Sequence, residues 1–367
     1  MNNTFKSHVI DHVEIFSAMA KPLAYWHVHA LGFRMAGYAG PETGQQGIAS
    51  YCLVSNNIRL VITTAYPTGN RMPAIDISSY IAINHCGVKR FALQVDSVSA
   101  AFEQSVKRGA IPLRMPSRQE DEHGYVEEAA IKLYDHNEIV FINRDNYNGV
   151  FRPGFKKHTE YNNGVESLFT AVDHIASELR VNEIDHWTGY LSRAIGTSAV
   201  QKIERSVDNR TGMILNINQS DDRQLTLVMA EPESISGKSK VQANIENFGP
   251  GIHHLAFATE NLVETVRQLK SRGVDFIKFP HSYYELLRAN EELKGFDIDA
   301  LEREGILIDK EDDTYLLQKF VKPISDRPFF FYEIVQRVNG YNGFALKNIN
   351  VLKKAEEMEI MNLSRAN

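Results

Sequence analysis

The chain has 367 residues, more than one hydrophobic core comfortably holds, since single cores stop growing at roughly 250 to 300 residues, so two domains are expected. Hydrophobic residues make up 43% and charged residues 23%, with a mean hydropathy of −0.30, which excludes a disordered, collagen-like or disulfide-dense class. A net charge of −6 argues against a general footprint for nucleic acid or an anionic membrane and leaves a small molecule as the expected partner. Cys52 and Cys86 are the only cysteines, too few for a disulfide framework or a thiolate zinc site. No charged leader precedes an apolar run, and no stretch approaches the roughly 20 apolar residues of a membrane span, so the cytoplasm is the expected location.

Four β-like segments repeat along the chain: IDHVEIF at 10–16, VKRFALQV at 88–95, VDHIASEL at 172–179 and IHHLAFA at 252–258. Each has a polar pair followed by alternating apolar residues, and they open modules of roughly 80 residues. A helix should follow each opening strand. Residues 97–109 (SVSAAFEQSVKRG) and 261–273 (NLVETVRQLKSRG) carry an N-cap candidate, apolar residues at helical spacing and a terminal glycine. Each continues into a further apolar run (Ala-Ile-Pro, Val-Asp-Phe), and later strands include EAAIKLY at 128–134 and RQLTLVM at 223–229. The pattern predicts an α+β fold of four βαβββ modules paired into two domains, 1–150 and 166–367. A linker at 151–165 lies in an Asn-, Gly- and Pro-bearing stretch. Residues 350–363 should form a terminal helix with one apolar face, able to pack as a lid.

Equivalent positions differ between the two pairs of modules. His174 and His254 stand in the opening strands of the third and fourth modules, and Glu333 stands in the late strand FFFYEIVQR. In the first pair His12 matches His174, but Arg90 matches His254, and the strand EIVFINR at 138–144 has no carboxylate in its apolar centre. An arginine holds no cation, so a metal site is expected only in the second pair. Burying Glu333 unpaired would cost several kcal/mol, and Arg337, four residues along the strand, is about 13 Å away. Two imidazoles and one carboxylate form the facial triad suited to non-haem Fe(II), with adjacent positions open. A 2-oxo acid can fill two of these and dioxygen the third. The alternative for each histidine is a hydrogen-bonded strand residue with no metal.

These residues resemble the 4-hydroxyphenylpyruvate dioxygenase family, of the vicinal-oxygen-chelate fold group that also includes 4-hydroxymandelate synthase. The resemblance covers nearly the whole chain. It rests on LGFR at 31–34, ASYCLVS at 49–55 and RGAIP at 108–112, and more strongly on GIHHLAF at 251–257, YYELL at 283–287, EGILID at 304–309, LQKFVKPISDRP at 317–328 and YEIVQR at 332–337. It implies two open-barrel domains and Fe(II) at His174, His254 and Glu333. It also implies a chelated 2-oxo acid with dioxygen as co-substrate, and a homo-oligomer, dimer or tetramer. Gln318, Phe331 and Phe344 then fall at catalytic positions, with Phe320 beside them in the pocket; core packing is the other role open to the phenylalanines.

The pattern departs from the family where the far end of the substrate would lie. Leu215 stands where Ser is expected, Ala230 where Asn is, and Lys240 and His253 where Gln is. The glycine-rich loop at 340–348 is short. A phenol there would lose its partners, at a cost of roughly 1 to 3 kcal/mol, so a 2-oxo acid with an apolar or differently substituted far end is expected to be preferred over 4-hydroxyphenylpyruvate, unless Lys240 or His253 supplies a donor. Regular alternation points His253 away from His254. The leading expectation is an Fe(II)-dependent dioxygenase decarboxylating an arylpyruvate or related 2-oxo acid, with ring or benzylic hydroxylation both open. A catechol-cleaving dioxygenase and a non-catalytic binding protein are the alternatives.

Overall fold

Alternating apolar residues at 10–16 make β1 (Ile10–Ser17), followed by α1 (Ala20–His29), β2 (Arg34–Ala39), β3 (Ile48–Ser55) and β4 (Ile58–Ala65); α2 (Met72–Asn84) leads out of this module. The second runs β5 (Cys86–Gln94), α3 (Val98–Lys107), β6 (Pro112–Asp121), β7 (Gly124–Leu133) and β8 (Asn137–Asn143), and a short β9 (Lys156–Lys157) comes after it. The third is β10 (Ala171–Glu178), α4 (Ile184–Ile195), β11 (Ser198–Ile203), β12 (Met213–Gln219) and β13 (Thr226–Pro232), with α5 (Lys240–Phe248) leading out. The fourth is β14 (Gly251–Ala258), α6 (Leu262–Ser271), α7 (His281–Arg288), α8 (Ile298–Glu304), β15 (Leu307–Glu311), β16 (Thr314–Phe320) and β17 (Phe331–Val338). This computed structural model describes residues 8–66, 72–203, 213–233, 240–326, 329–345, 348 and 351. The terminal helix expected at 350–363 lies outside them except for Val351.

The strands form two curled sheets, ordered β6-β7-β8-β5-β1-β4-β3-β2-β9 and β11-β12-β13-β10-β14-β17-β16-β15. The topology is duplicated. In every module the first strand pairs in parallel with the last (β1 with β4, β5 with β8, β10 with β13, β14 with β17), and the modules join through antiparallel β1–β5 and β10–β14. These are four βαβββ modules in two open barrels, as the repeat predicts. Residues 151–165 add β9 to the edge of the first sheet against β2, and Phe151 and Phe155 pack on Ala39, Cys52 and Val61.

Local chemistry sets the helix ends. Ser97 caps α3 by accepting from the Ala100 N–H, and Asn261 caps α6 by accepting from Glu264 N–H. Gly109 and Gly273 beyond the other ends have φ of 98° and 84°, a region that glycine enters without steric cost. One face of each sheet packs on the helices, in a core that joins Val28, Phe102, Leu191 and Leu269 from the helices to Ile15, Phe91, Leu255 and Tyr332 from the strands. The alternate residues line the concave faces.

The fourth module departs from the repeat. The strand expected at 274–276 is a single bridge, Phe276 to Val321, because the chain turns off into α7 and α8 before β15 closes the sheet.

Candidate active site

Register explains why three residues so far apart in sequence meet. His174 pairs with Ala256 across β10–β14, and Ala256 pairs with Glu333 across β14–β17, so all three side chains lie in one row on one face. His254, two residues before Ala256, shares that face. All three are buried, at 7%, 9% and 4% exposure for His174, His254 and Glu333. Glu333 Oε2 lies 3.2 Å from His174 Nε2 and 3.1 Å from His254 Nε2, and the two Nε2 atoms are 3.4 Å apart.

The outer ring nitrogens are committed elsewhere. Asp173 Oδ1 accepts from His174 Nδ1 at 2.7 Å, and Arg337 grips Asp173 through Nε to Oδ2 at 2.7 Å and Nη2 to Oδ1 at 2.9 Å. Arg337 also donates to the Gly343 carbonyl at 2.7 Å and lies 4.7 Å from the Phe344 ring centroid. On the other side His253 Nδ1 sits 3.2 Å from the Ala176 carbonyl, which can only accept, so His253 Nε2 is an acceptor. His254 Nδ1, 3.2 Å from it, therefore donates. With the outer nitrogens so assigned from the network, both inward Nε2 atoms and a carboxylate oxygen face one point, which a proton on His174 or a metal ion can occupy.

Electrostatics agree. Burial opposes charge on His174, but Glu333 and the Asp173 hydrogen bond outweigh it and push the imidazole up to about 9. Burial also pushes Glu333 up, but His174 and His254 outweigh it and hold the carboxyl down at about 2. Three donor groups aimed at one point, with positive charge favoured between them, fit a divalent cation.

His253 corrects the sequence reading. Ala176 pairs with His254 but Ser177 pairs with Ile252, so β14 carries one extra residue there. A bulge places neighbouring side chains on one side, and the His253 and His254 ring centroids are 4.4 Å apart. A second irregularity, between Val172 and His174, puts Asp173 beside His174. Two adjacent polar residues in an otherwise apolar strand were the available signal.

The remaining expected residues divide into two groups. Phe331 pairs with His254, ring centroids 4.9 Å apart; Phe320 pairs with Glu333; Gln318, buried, shares the face of Phe320; and Phe344 meets His174 edge-on at 5.8 Å. Leu215 and Ala230, both buried, pair with each other one step further from the triad. Lys240 opens α5 and is exposed. Glu178 was missed: it pairs with Ala230, lies four residues beyond His174 on the same face, and is 4% exposed.

The first barrel repeats this surround without the triad. Asp11 sits on the same kind of bulge beside His12, 2.6 Å from its Nδ1. Arg144 grips Asp11 at 2.7 and 2.6 Å, and its guanidinium lies 4.8 Å from the Phe151 ring. At the triad positions, however, Ala92 pairs with Val140 instead of a glutamate, and Arg90 replaces His254. Its guanidinium lies 3.3 Å from Glu14 and 3.4 Å from Glu138, a covalently attached cation where the second barrel has room for a metal.

Residues 171–299 match the Glyoxalase/Bleomycin resistance protein/Dioxygenase superfamily, the class that paired βαβββ modules and a His-His-Glu cluster define. The 4-hydroxyphenylpyruvate dioxygenase of Tetrahymena thermophila is 30% identical, over 95% of this chain and 89% of that protein. That of Yarrowia lipolytica is 31% identical, over 95% and 91%. A mutant 4-hydroxymandelate synthase from Streptomyces coelicolor shares the fold with a TM-score of 0.81 at 24% identity, over 96% of this chain and 98% of that one. The chain belongs to the 4-hydroxyphenylpyruvate dioxygenase family, and it is a dioxygenase by class. No helix among the described residues is long and apolar enough to cross a membrane.

Proposed function

We propose that the second barrel binds Fe(II) through His174, His254 and Glu333 and uses it, with dioxygen, to decarboxylate an arylpyruvate or related 2-oxo acid. The observation carrying this reading is the convergence of two imidazole Nε2 atoms and one carboxylate oxygen within 3.1 to 3.4 Å of one another. Bound iron supplies a chelation point for the 2-oxo acid and the electrons that activate dioxygen. In the net reaction the 2-oxo acid loses its carboxyl as carbon dioxide, one dioxygen atom enters the new carboxylate and the other enters the rest of the substrate.

The chain's own residues prepare the site for this. Asp173 and His253 hold the two imidazoles in the tautomers that face inward, as partners of metal-bound histidines do. Phe320, Phe331 and Phe344 keep water from the reacting carbons and offer flat surfaces to an aromatic side chain. Gln318 is the polar side chain on that wall, suited to hold an oxygen of the substrate.

Anaerobic loading with Fe(II), followed by oxygen with a panel of 2-oxo acids and catechols, tests the reading. Matched oxygen consumption and carbon dioxide release with a 2-oxo acid are expected. Oxygen uptake with a catechol and no carbon dioxide release would overturn it in favour of ring cleavage.

A further inference from the structure

Among the described residues, Glu178 is a buried carboxyl with a single hydrogen-bond partner. Oε1 accepts from Asn244 Nδ2 at 3.2 Å, and Oε2 has no hydrogen-bond partner among the described residues. His253 Nε2 is 3.6 Å from Oε1, but this is no ion pair. That Nε2 already accepts from His254 Nδ1 at 3.2 Å. Lys240, exposed at the start of α5, exerts the smallest of the attractions acting on Glu178. Burial accordingly pushes the Glu178 carboxyl up to about 7, so its charged form is stabilised by any donor brought against it.

Position says where the donor comes from. Glu178 shares a row with Ala230 and Leu215 and a face with His174, and four strand residues, about 13 Å, separate it from that ligand. A 2-oxo acid chelated at the triad and extended along β10 brings its far end to this row. We propose that Glu178 is the specificity residue of the pocket and selects a 2-oxo acid whose far end carries a hydrogen-bond donor, a protonated amine above all. This rests on the 2-oxo acid reading and deepens it. It also changes the ranking expected from Leu215 and Ala230 alone, because a para-hydroxyl has an acceptor within the same row.

The test is calorimetry on the Fe(II)-loaded protein without oxygen, using phenylpyruvate, 4-hydroxyphenylpyruvate and 4-(aminomethyl)phenylpyruvate. In the wild type the amine should bind at least tenfold more tightly than phenylpyruvate, a ratio set by a hydrogen bond to a charged group, with the phenol between. In Glu178→Gln, close to isosteric, the three should fall within about threefold while iron affinity is unchanged. A flat order in the wild type, or an order that persists in Glu178→Gln, overturns the assignment of Glu178 and leaves the 2-oxo acid reading standing. Failure of all three to bind overturns that reading and the inference with it.

Discussion

A histidine binds a metal well only when its second nitrogen is tied down, and at this centre the tie is a carboxylate on one side and another histidine on the other. Asp173 matters more than a single hydrogen bond suggests, because Arg337 links it to the loop that carries Phe344. Asp173→Asn should weaken Fe(II) binding by roughly 10- to 100-fold, measured by competition with a chelator of known affinity. Asp11→Asn, the same change in the first barrel, should leave iron affinity unchanged and lower the melting temperature, since it breaks a buried ion pair with Arg144. Equal losses of iron affinity in both variants would show that the pair acts on stability alone.

At the scale of elements, each barrel is organised by its central strands and differs from its duplicate in what fills the concave face. In the first barrel Arg90 is held between Glu14 and Glu138, and Arg114 and Lys89 add to Glu138. Arg90→Met leaves two buried carboxylates short of a cation and should cost about 3 to 5 kcal/mol, read by urea unfolding, with no change in iron content. Arg90→His should not create a second metal site, because Val140 supplies no carboxylate; an added equivalent of bound iron would contradict this.

What the sequence made legible follows from the range of each interaction. Helices α3 and α6 were readable because caps at Ser97 and Asn261 and terminal glycines act within a few residues. The triad was readable because duplication let His174, His254 and Glu333 be compared with His12, Arg90 and the strand at 138–144. His253 and Glu178 were not, since their facing depends on bulges and on register between strands distant in sequence. Helices α7 and α8 interrupt a repeat that periodicity alone extends.

For the whole molecule, the two barrels share one core, and Tyr332 shows how the site is tied to it. Tyr332 adjoins Glu333 but points to the opposite face, where its hydroxyl lies 2.6 Å from Nε2 of His27 on α1, in the first half of the chain. His27 Nδ1 bonds the Leu23 carbonyl at 2.7 Å, so Nε2 accepts and Tyr332 donates. Burial, opposed only by that carbonyl, lowers His27 to about 4 from an ordinary 6.5. Because the folded value is the lower, the unfolded chain binds the extra proton. His27 therefore costs no stability above about 6.5, and stability falls as pH drops from there toward 4. His27→Gln should flatten that part of a melting-temperature profile; an unchanged slope would assign it to other groups. Tyr332→Phe, leaving buried His27 unsatisfied, should cost about 1 to 3 kcal/mol, read by urea unfolding.

The central claim, that one barrel of the pair holds iron and the other carries its own cation, is tested most directly by metal stoichiometry after anaerobic Fe(II) loading and desalting. One iron per chain is expected in the wild type and in His12→Ala, and none in Glu333→Ala with its circular dichroism retained. Two irons per chain, or loss of iron in His12→Ala, would contradict the account.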